Sequence, residues 1–212
     1  MICFQEVFNP DWAEEICRRT GFEYRAAQWK GGLLILSRFK IPASDSLKLK
    51  AVSSKEDYGR YVLFAEIEGP SFSVSVFNTH WSWRLDESAV RQKQAEEFLR
   101  YADECSGGRA AIACGDFNTT AWSPEIRILK ESGWQDAYAL KYPEKPGLTW
   151  ENENLFARSA SSAMPDRRID YVFFKGPEFE ADRLEKAEVV FQKPSADGLW
   201  ASDHYGVSAV WK

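Results

Sequence analysis

The chain has 212 residues, a net charge of -5, 44% hydrophobic and 28% charged side chains, which describes one ordinary globular domain and excludes a disordered chain. A net acidic balance lacks the broad basic face of a non-specific nucleic-acid binder, while leaving room for a local basic groove. The four cysteines show no paired metal spacing and demand no disulfide framework, and no apolar run approaches the roughly 18 residues of a membrane span.

Met1 to Gln5 is a short strand-like run that ends in Gln5-Glu6. Asn9-Pro10-Asp11 opens a helix, with Asn9 as cap and Pro10 in the first turn; Trp12, Ile16 and Ala13, Cys17 fall at i, i+4, and Gly21 ends it. Phe22 to Ala27 and Leu33 to Ser37 read as strands around a Lys30-Gly31-Gly32 turn. Leu47 to Val52, Arg60 to Glu68 and Phe72 to His80 are further strands, the last two joined as a hairpin through Glu68-Gly69-Pro70-Ser71. Asp86 to Cys105 is the longest helical stretch, with Ala95, Phe98, Leu99 and Ala102 on one stripe.

The segment Ala110 to Asn118 follows: small and apolar residues, then Gly115, Asp116, Phe117 and Asn118. It reads as a buried strand with a sharp turn at Gly115 and Phe117 pointing into the core. Asp116 and Asn118 then share one face at the strand end, where a carboxylate can take a proton from water and an amide can hydrogen-bond the reacting group. An Asp–Asn pair opening a turn before the helix at Ser123-Pro124 is the plainer alternative. Pro124 to Ser132 is that helix, and Tyr142 to Asp166 is a long polar loop. Arg168 to Phe174, Lys186 to Gln192 and His204 to Trp211 are the remaining strands. Arg18-Arg19 and Arg167-Arg168 are short basic pairs whose default explanation is surface solvation. Many strands and few helices give an α+β or layered α/β sandwich with helices outside two sheets.

The chain has two histidines, and both end or follow strands beside polar partners: His80 after Asn78-Thr79, and His204 in Ser202-Asp203-His204-Tyr205. Asp170 sits within the apolar run Ile169 to Phe174, where an acid needs a partner, and an imidazole is the obvious one. Glu6, straight after a buried strand, can cap the next helix or hold a hard cation through oxygen. Cys3 and Cys114 read as buried thiols. Cysteine usage of this kind favours a reducing compartment, so a cytoplasmic location is expected.

In order along the chain, FQEV, GGLLILSRF, FNTHW, ACGDFNTT, RRIDYVFF and SDHYGV resemble the motifs of the endonuclease/exonuclease/phosphatase superfamily, the DNase-I-like fold. The resemblance implies a four-layer α/β/β/α sandwich of two mixed sheets over residues 1–212. It also implies hydrolysis of phosphate esters with a divalent metal, usually Mg2+ or else Mn2+. By motif, Glu6 is then the metal ligand and Asp203 reaches a second metal position. Asp116 activates or orients water, Asn118 stabilises the transferring phosphoryl group, and His204 contacts a phosphate oxygen with Asp170 as its partner. His80 assists at the phosphate or leaving group. The family normally places a strand carrying an Asn metal ligand, then a helix, ahead of FQEV, and Met1 falls where that helix ends. From this the chain is expected to bind magnesium weakly and to expose the Ile2 to Gln5 edge, with self-association through it.

Substrate choice in this superfamily lies in loops. The Thr149-Trp150-Glu151-Asn152-Glu153-Asn154 stretch is similar to that of sphingomyelinase-like and tyrosyl-DNA-phosphodiesterase-like members, or else Trp150 simply covers the sheet end. Trp81 and Trp83 are expected at the same rim. Acidic charge disfavours long duplex DNA, so the expected substrate is a nucleotide, lipid or small phosphodiester. An endonuclease on DNA and a catalytically weakened binding module are the alternatives.

Overall fold

The computed structural model describes residues 1–160, 164–176, 179 and 181–212, so residues 161–163 of the long loop at Tyr142 to Asp166 lie outside the described residues. In chain order the elements are β1 (Ile2–Phe4), α1 (Pro10–Thr20), β2 (Tyr24–Gln28), β3 (Leu33–Ser37), β4 (Lys40–Lys48), β5 (Tyr61–Glu68), β6 (Ser73–His80), α2 (Ser88–Ser106) and β7 (Ala111–Asp116). They continue with α3 (Pro124–Glu131), β8 (Gln135–Asp136), α4 (Ala137–Lys141), α5 (Leu155–Ala160), β9 (Asp170–Lys175), β10 (Leu184–Val190) and β11 (Gly206–Trp211).

Six strands form the main sheet in the order β4-β5-β6-β7-β9-β8, with β6 and β7 parallel and the other pairs antiparallel. The second layer comes in two pieces, a three-stranded β1-β3-β2 sheet and the hairpin-like pair β10-β11. Alternation along each strand sorts the side chains. Phe77, Ala113, Tyr171 and Phe173 face α2 and α3, where they meet Phe98, Ile126, Leu129 and Trp134. Val76, Ile112, Val172 and Phe174 face the second layer, where they meet Leu33, Ile35, Leu184 and Ala187. Leu34 and Leu36, the other face of β3, pack on Ala13 of α1. The result is the expected α+β sandwich of helix, sheet, sheet and helix.

Several local readings change. The strand expected at Leu47 to Val52 lies earlier, at Lys40–Lys48, and is mostly exposed. As the edge of the main sheet it buries little, so its sequence shows no apolar alternation, and Pro42 sits within a register irregularity between Lys40 and Ala43. In α1, Asn9 caps through its side chain and Gly21 closes the helix at φ 68°, but Trp12 is 59% exposed and Ala13 is the buried residue. The long loop contains α5. Gly115 is not a turn: β7 runs on to Asp116. Arg167 and Arg168 are buried rather than solvated, with Arg168 paired to Asp136 at 2.8 Å. Cys3 and Cys114 are half-buried, and all four cysteines are free. Among the described residues β1 pairs only with β3, so one of its edges has no strand partner. No helix among them is long and apolar enough to cross a membrane.

Candidate active site

Strand register builds the centre of the site. His80 is level with Asp116 on the parallel neighbour, and Asp116 with Asp170 on the antiparallel one. All three keep the parity of Val76, Ile112 and Val172, so they leave the sheet on the face towards the second layer, in a row across three strand ends. The row is tight because Gly115 has no side chain. A Cβ there would meet the Thr79 carbonyl oxygen at 2.0 Å, and φ is 151°.

The Asp116 carboxylate is held from several sides. Its Oδ1 accepts the Asn118 backbone N–H at 2.7 Å and its Oδ2 accepts the Asn118 side-chain amide at 3.1 Å. His80 Nε2 stands 3.4 Å and His204 Nε2 3.9 Å from the same Oδ2. Asn118, at φ 51°, also donates to the Trp81 carbonyl at 3.0 Å. Both N–H groups of its amide are therefore engaged. The geometry makes Asn118 an orienter of Asp116, and donation to a phosphoryl group would require exchanging one of these bonds.

His204 Nδ1 is 2.9 Å from Asp170 Oδ2, the pairing expected for the acid inside β9. The Thr149–Asn154 stretch sets this pair in place. Thr149 Oγ1 accepts from the N–H groups of Ile169 and Asp170, and the Thr149 carbonyl accepts from Tyr205 at 2.7 Å. Asn154 donates to the Ser202 and Asp203 carbonyls. Trp150 lies edge-on to the His204 ring at 4.9 Å.

Glu6 arrives by a third route. Asn78 donates to the Phe4 and Leu34 carbonyls and accepts from Gln5 at 2.7 Å, which ties β1 and β3 to the main sheet. Glu6 follows at φ 63°. It lines a cavity of about 250 Å³ with His80, Asp116, Asn118, Asp203 and His204. Tyr58, Trp83 and Trp150 form the aromatic part of the wall. Trp81 does not: it is fully buried against Phe117 and Phe98, because the residue after His80 turns to the helix side of the sheet.

Burial raises the Asp116 carboxyl to about 7, with Asp170 adding to the shift and His204, the Asn118 N–H and Arg60 opposing it. For His204, burial alone would depress the imidazole, but Asp170, Asp116 and Asp203 outweigh it and raise the group to about 10. Burial, and then the positive charges of Arg60 and His204, push His80 well below the usual imidazole value. The two histidines thus differ in charge at neutral pH, one a cation and one neutral.

Donor atoms of Asp116, Asp170 and His204 lie within 4.8 Å of one another. Without a metal the triad is a charge-paired unit, with His204 held cationic between Asp170 and Asp116. The remaining carboxylates of the cavity are Glu6 and Asp203, whose oxygens suit a hard divalent cation such as magnesium.

Two buried cations escaped the sequence reading. Arg60 is 1% exposed, pairs with Glu56 at 2.8 Å and stacks over Tyr58 at 4.5 Å, while its two terminal nitrogens have no partner among the described residues. Glu56 in turn accepts the Trp83 backbone N–H, so this pair bears on two of the three aromatic residues of the cavity mouth, Tyr58 and Trp83. The Glu–Arg spacing of four was the only signal. Arg167, dismissed with its neighbour as surface charge, lines the cavity as well.

The sequence signature of the Endonuclease/Exonuclease/phosphatase family matches residues 1–204. No curated protein sequence matches closely enough to count as a relative. Among solved structures, D. rerio TDP2 in complex with single-strand DNA product superposes with a TM-score of 0.79 at 16% identity, over 99% of this chain and 84% of that one. An endonuclease/exonuclease/phosphatase from Bacteroides vulgatus gives 0.71 at 18%, over 99% and 84%. A Leptotrichia buccalis protein of that family gives 0.71 at 19%, over 100% and 86%. These likenesses concern the fold, and the family match spans nearly the whole chain: the protein belongs to the endonuclease/exonuclease/phosphatase family.

Proposed function

We propose that this protein is a divalent-metal-dependent hydrolase of phosphodiesters, acting on a nucleotide, lipid or other small diester at the cavity between Glu6 and His204. The observation that carries the reading is the convergence of Asp116, the Asp170–His204 pair and the Glu6 and Asp203 carboxylates on one cavity. Asp116, with an affinity for protons matched to neutral pH, takes the proton of the attacking water. Asn118 and His80 hold the carboxylate in that orientation. His204, kept cationic by Asp170, presents its Nε2–H to a non-bridging phosphate oxygen and stabilises the charge that builds there. Glu6 and Asp203 are the residues to hold magnesium or manganese, which when bound would neutralise phosphate charge and favour the leaving oxygen. Tyr58, Trp83 and Trp150 shape the mouth for a flat or apolar group next to the scissile phosphate.

A nucleotide substrate gains support from the fold neighbour solved with single-strand DNA product. The net charge of -5 weighs against long duplex DNA. The test is hydrolysis of bis(p-nitrophenyl) phosphate. Turnover is expected with magnesium or manganese, with loss on exhaustive EDTA treatment and recovery on metal addition. Turnover undiminished by EDTA would contradict the metal requirement.

A further inference from the structure

Beyond Asn118 the site continues into a second cavity of about 340 Å³, between the Asn118–Thr120 segment, the start of α3 and the segment 165–167. Two residues, Asn118 and Arg167, line both cavities and mark their junction. Arg167 is only 7% exposed. Its Nε is buried without a hydrogen-bond partner, and it makes no ion pair among the described residues. Arg168, by contrast, is buried against Asp136, and Arg91, on the far wall, is paired with Glu125 at 2.8 Å. The charges of Asp116 and Asp170 favour the protonated form of Arg167, but burial outweighs them and lowers the guanidinium from its usual value. A buried guanidinium with no carboxylate at ion-pair distance is unfavourable unless a ligand supplies a closer counter-charge.

The carboxylates of the second cavity cannot serve as that counter-charge. Glu125 is engaged by Arg91, Ser88 and Thr119, and Asp166 accepts two bonds from Asn152. Donors are available on the same wall: the Ser123 oxygen accepts the Ile126 N–H, which leaves its O–H to give, and α3 begins there with its positive end towards the cavity.

Resting on the phosphodiesterase reading above, we propose that this second cavity is a subsite for another phosphate of the same substrate, with Arg167 as its charged ligand. The substrate class is then a phosphoester with a second phosphate one unit away from the scissile one, as in a nucleotide strand or a polyol polyphosphate. A guanidinium at the junction can grip such a phosphate through two N–H groups, and its planar fork suits that task better than lysine does.

The test is equilibrium binding by titration calorimetry in EDTA, where no turnover is needed. The probes are adenosine 5′-monophosphate, adenosine 3′,5′-bisphosphate and myo-inositol 1,4-bisphosphate. At least one bisphosphate is expected to bind about tenfold or more tighter than the monophosphate, as one charge-assisted contact predicts. The two bisphosphate arms separate a nucleotide from a polyol source. Arg167→Gln should erase the bisphosphate advantage, while Arg167→Lys should keep part of it and guards against a folding defect in the first variant. Equal affinities in the wild type, or an advantage unchanged in Arg167→Gln, would overturn the proposal. Diester hydrolysis without a bisphosphate advantage removes the subsite alone. An Arg167-dependent advantage without hydrolysis removes the hydrolase reading alone.

Discussion

The His204 ring and the Asp170 carboxylate meet at 2.9 Å, across a site in which the opposite ring nitrogen of His204 stands 3.9 Å from Asp116. One imidazole thus spans two acids, one at hydrogen-bond distance and one at the width of a cleft. The pair fixes both the orientation of the ring and its charge.

That charge can be read directly, because the chain has only two histidines. In the metal-free protein, NMR titration of the ring protons should show His204 losing its proton at about 10, and His80 neutral throughout the neutral range. Asp170→Asn removes the paired carboxylate, so the His204 value should drop by several units. A His204 that titrates near 6.5 in the unaltered protein would show that the pairing does not hold its proton.

The same groups give the metal-free fold a pH dependence of definite sign. A histidine raised from 6.5 to about 10 contributes stability that is complete below 6.5 and lost as pH rises through 10. Asp116, raised from 3.8 to about 7, acts in the same direction, since the folded state holds its proton longer than the unfolded one between those values. The melting temperature should therefore fall from about pH 4 to 7 through Asp116, and its slope from 6.5 to 10 is that of His204, each by up to about 1.4 kcal/mol of stability per pH unit. His204→Gln should flatten that slope. An equal slope in the variant would assign the pH dependence to other groups.

Gly115→Ala should be strongly destabilising. The added Cβ would stand 2.0 Å from the Thr79 carbonyl oxygen, so β6 and β7 must part just where His80 and Asp116 are level. The backbone region at φ 151° adds ~1–3 kcal/mol of strain for a non-glycine residue. Thermal melting and activity should fall together. A variant with wild-type melting temperature would mean that the strand ends can separate freely.

The layered fold was legible because the buried strands carry their pattern openly. Leu33 to Ser37 and Ser73 to His80 are apolar enough to read without tertiary help. Edge strand β4 was misplaced because only scattered side chains such as Ile41 and Leu47 reach the core, and a mostly exposed strand leaves no periodicity to read. The candidate site was legible where an acid or imidazole interrupts an apolar run, as at Asp170 and Asp116. Arg60 and Arg167 were missed because a cation next to an apolar strand looks the same in sequence whether it is buried or solvated. Trp81 and Trp83 could not be told apart either, since the direction of each ring depends on how the chain leaves β6 at His80.

The most direct measurement of the central claim is the rate of phosphodiester hydrolysis by Asp116→Asn against wild type, at saturating magnesium and neutral pH. The amide has the shape of the carboxylate but cannot take a proton, and loss of a general base typically lowers the rate ~10²–10⁴-fold. The account predicts a fall of that size with the fold retained, because removing a charge that burial disfavours works against the loss of the Asn118 side-chain bond to Oδ2. A variant that keeps near-wild-type turnover would contradict it, and would reduce Asp116 to a residue that only shapes the end of β7.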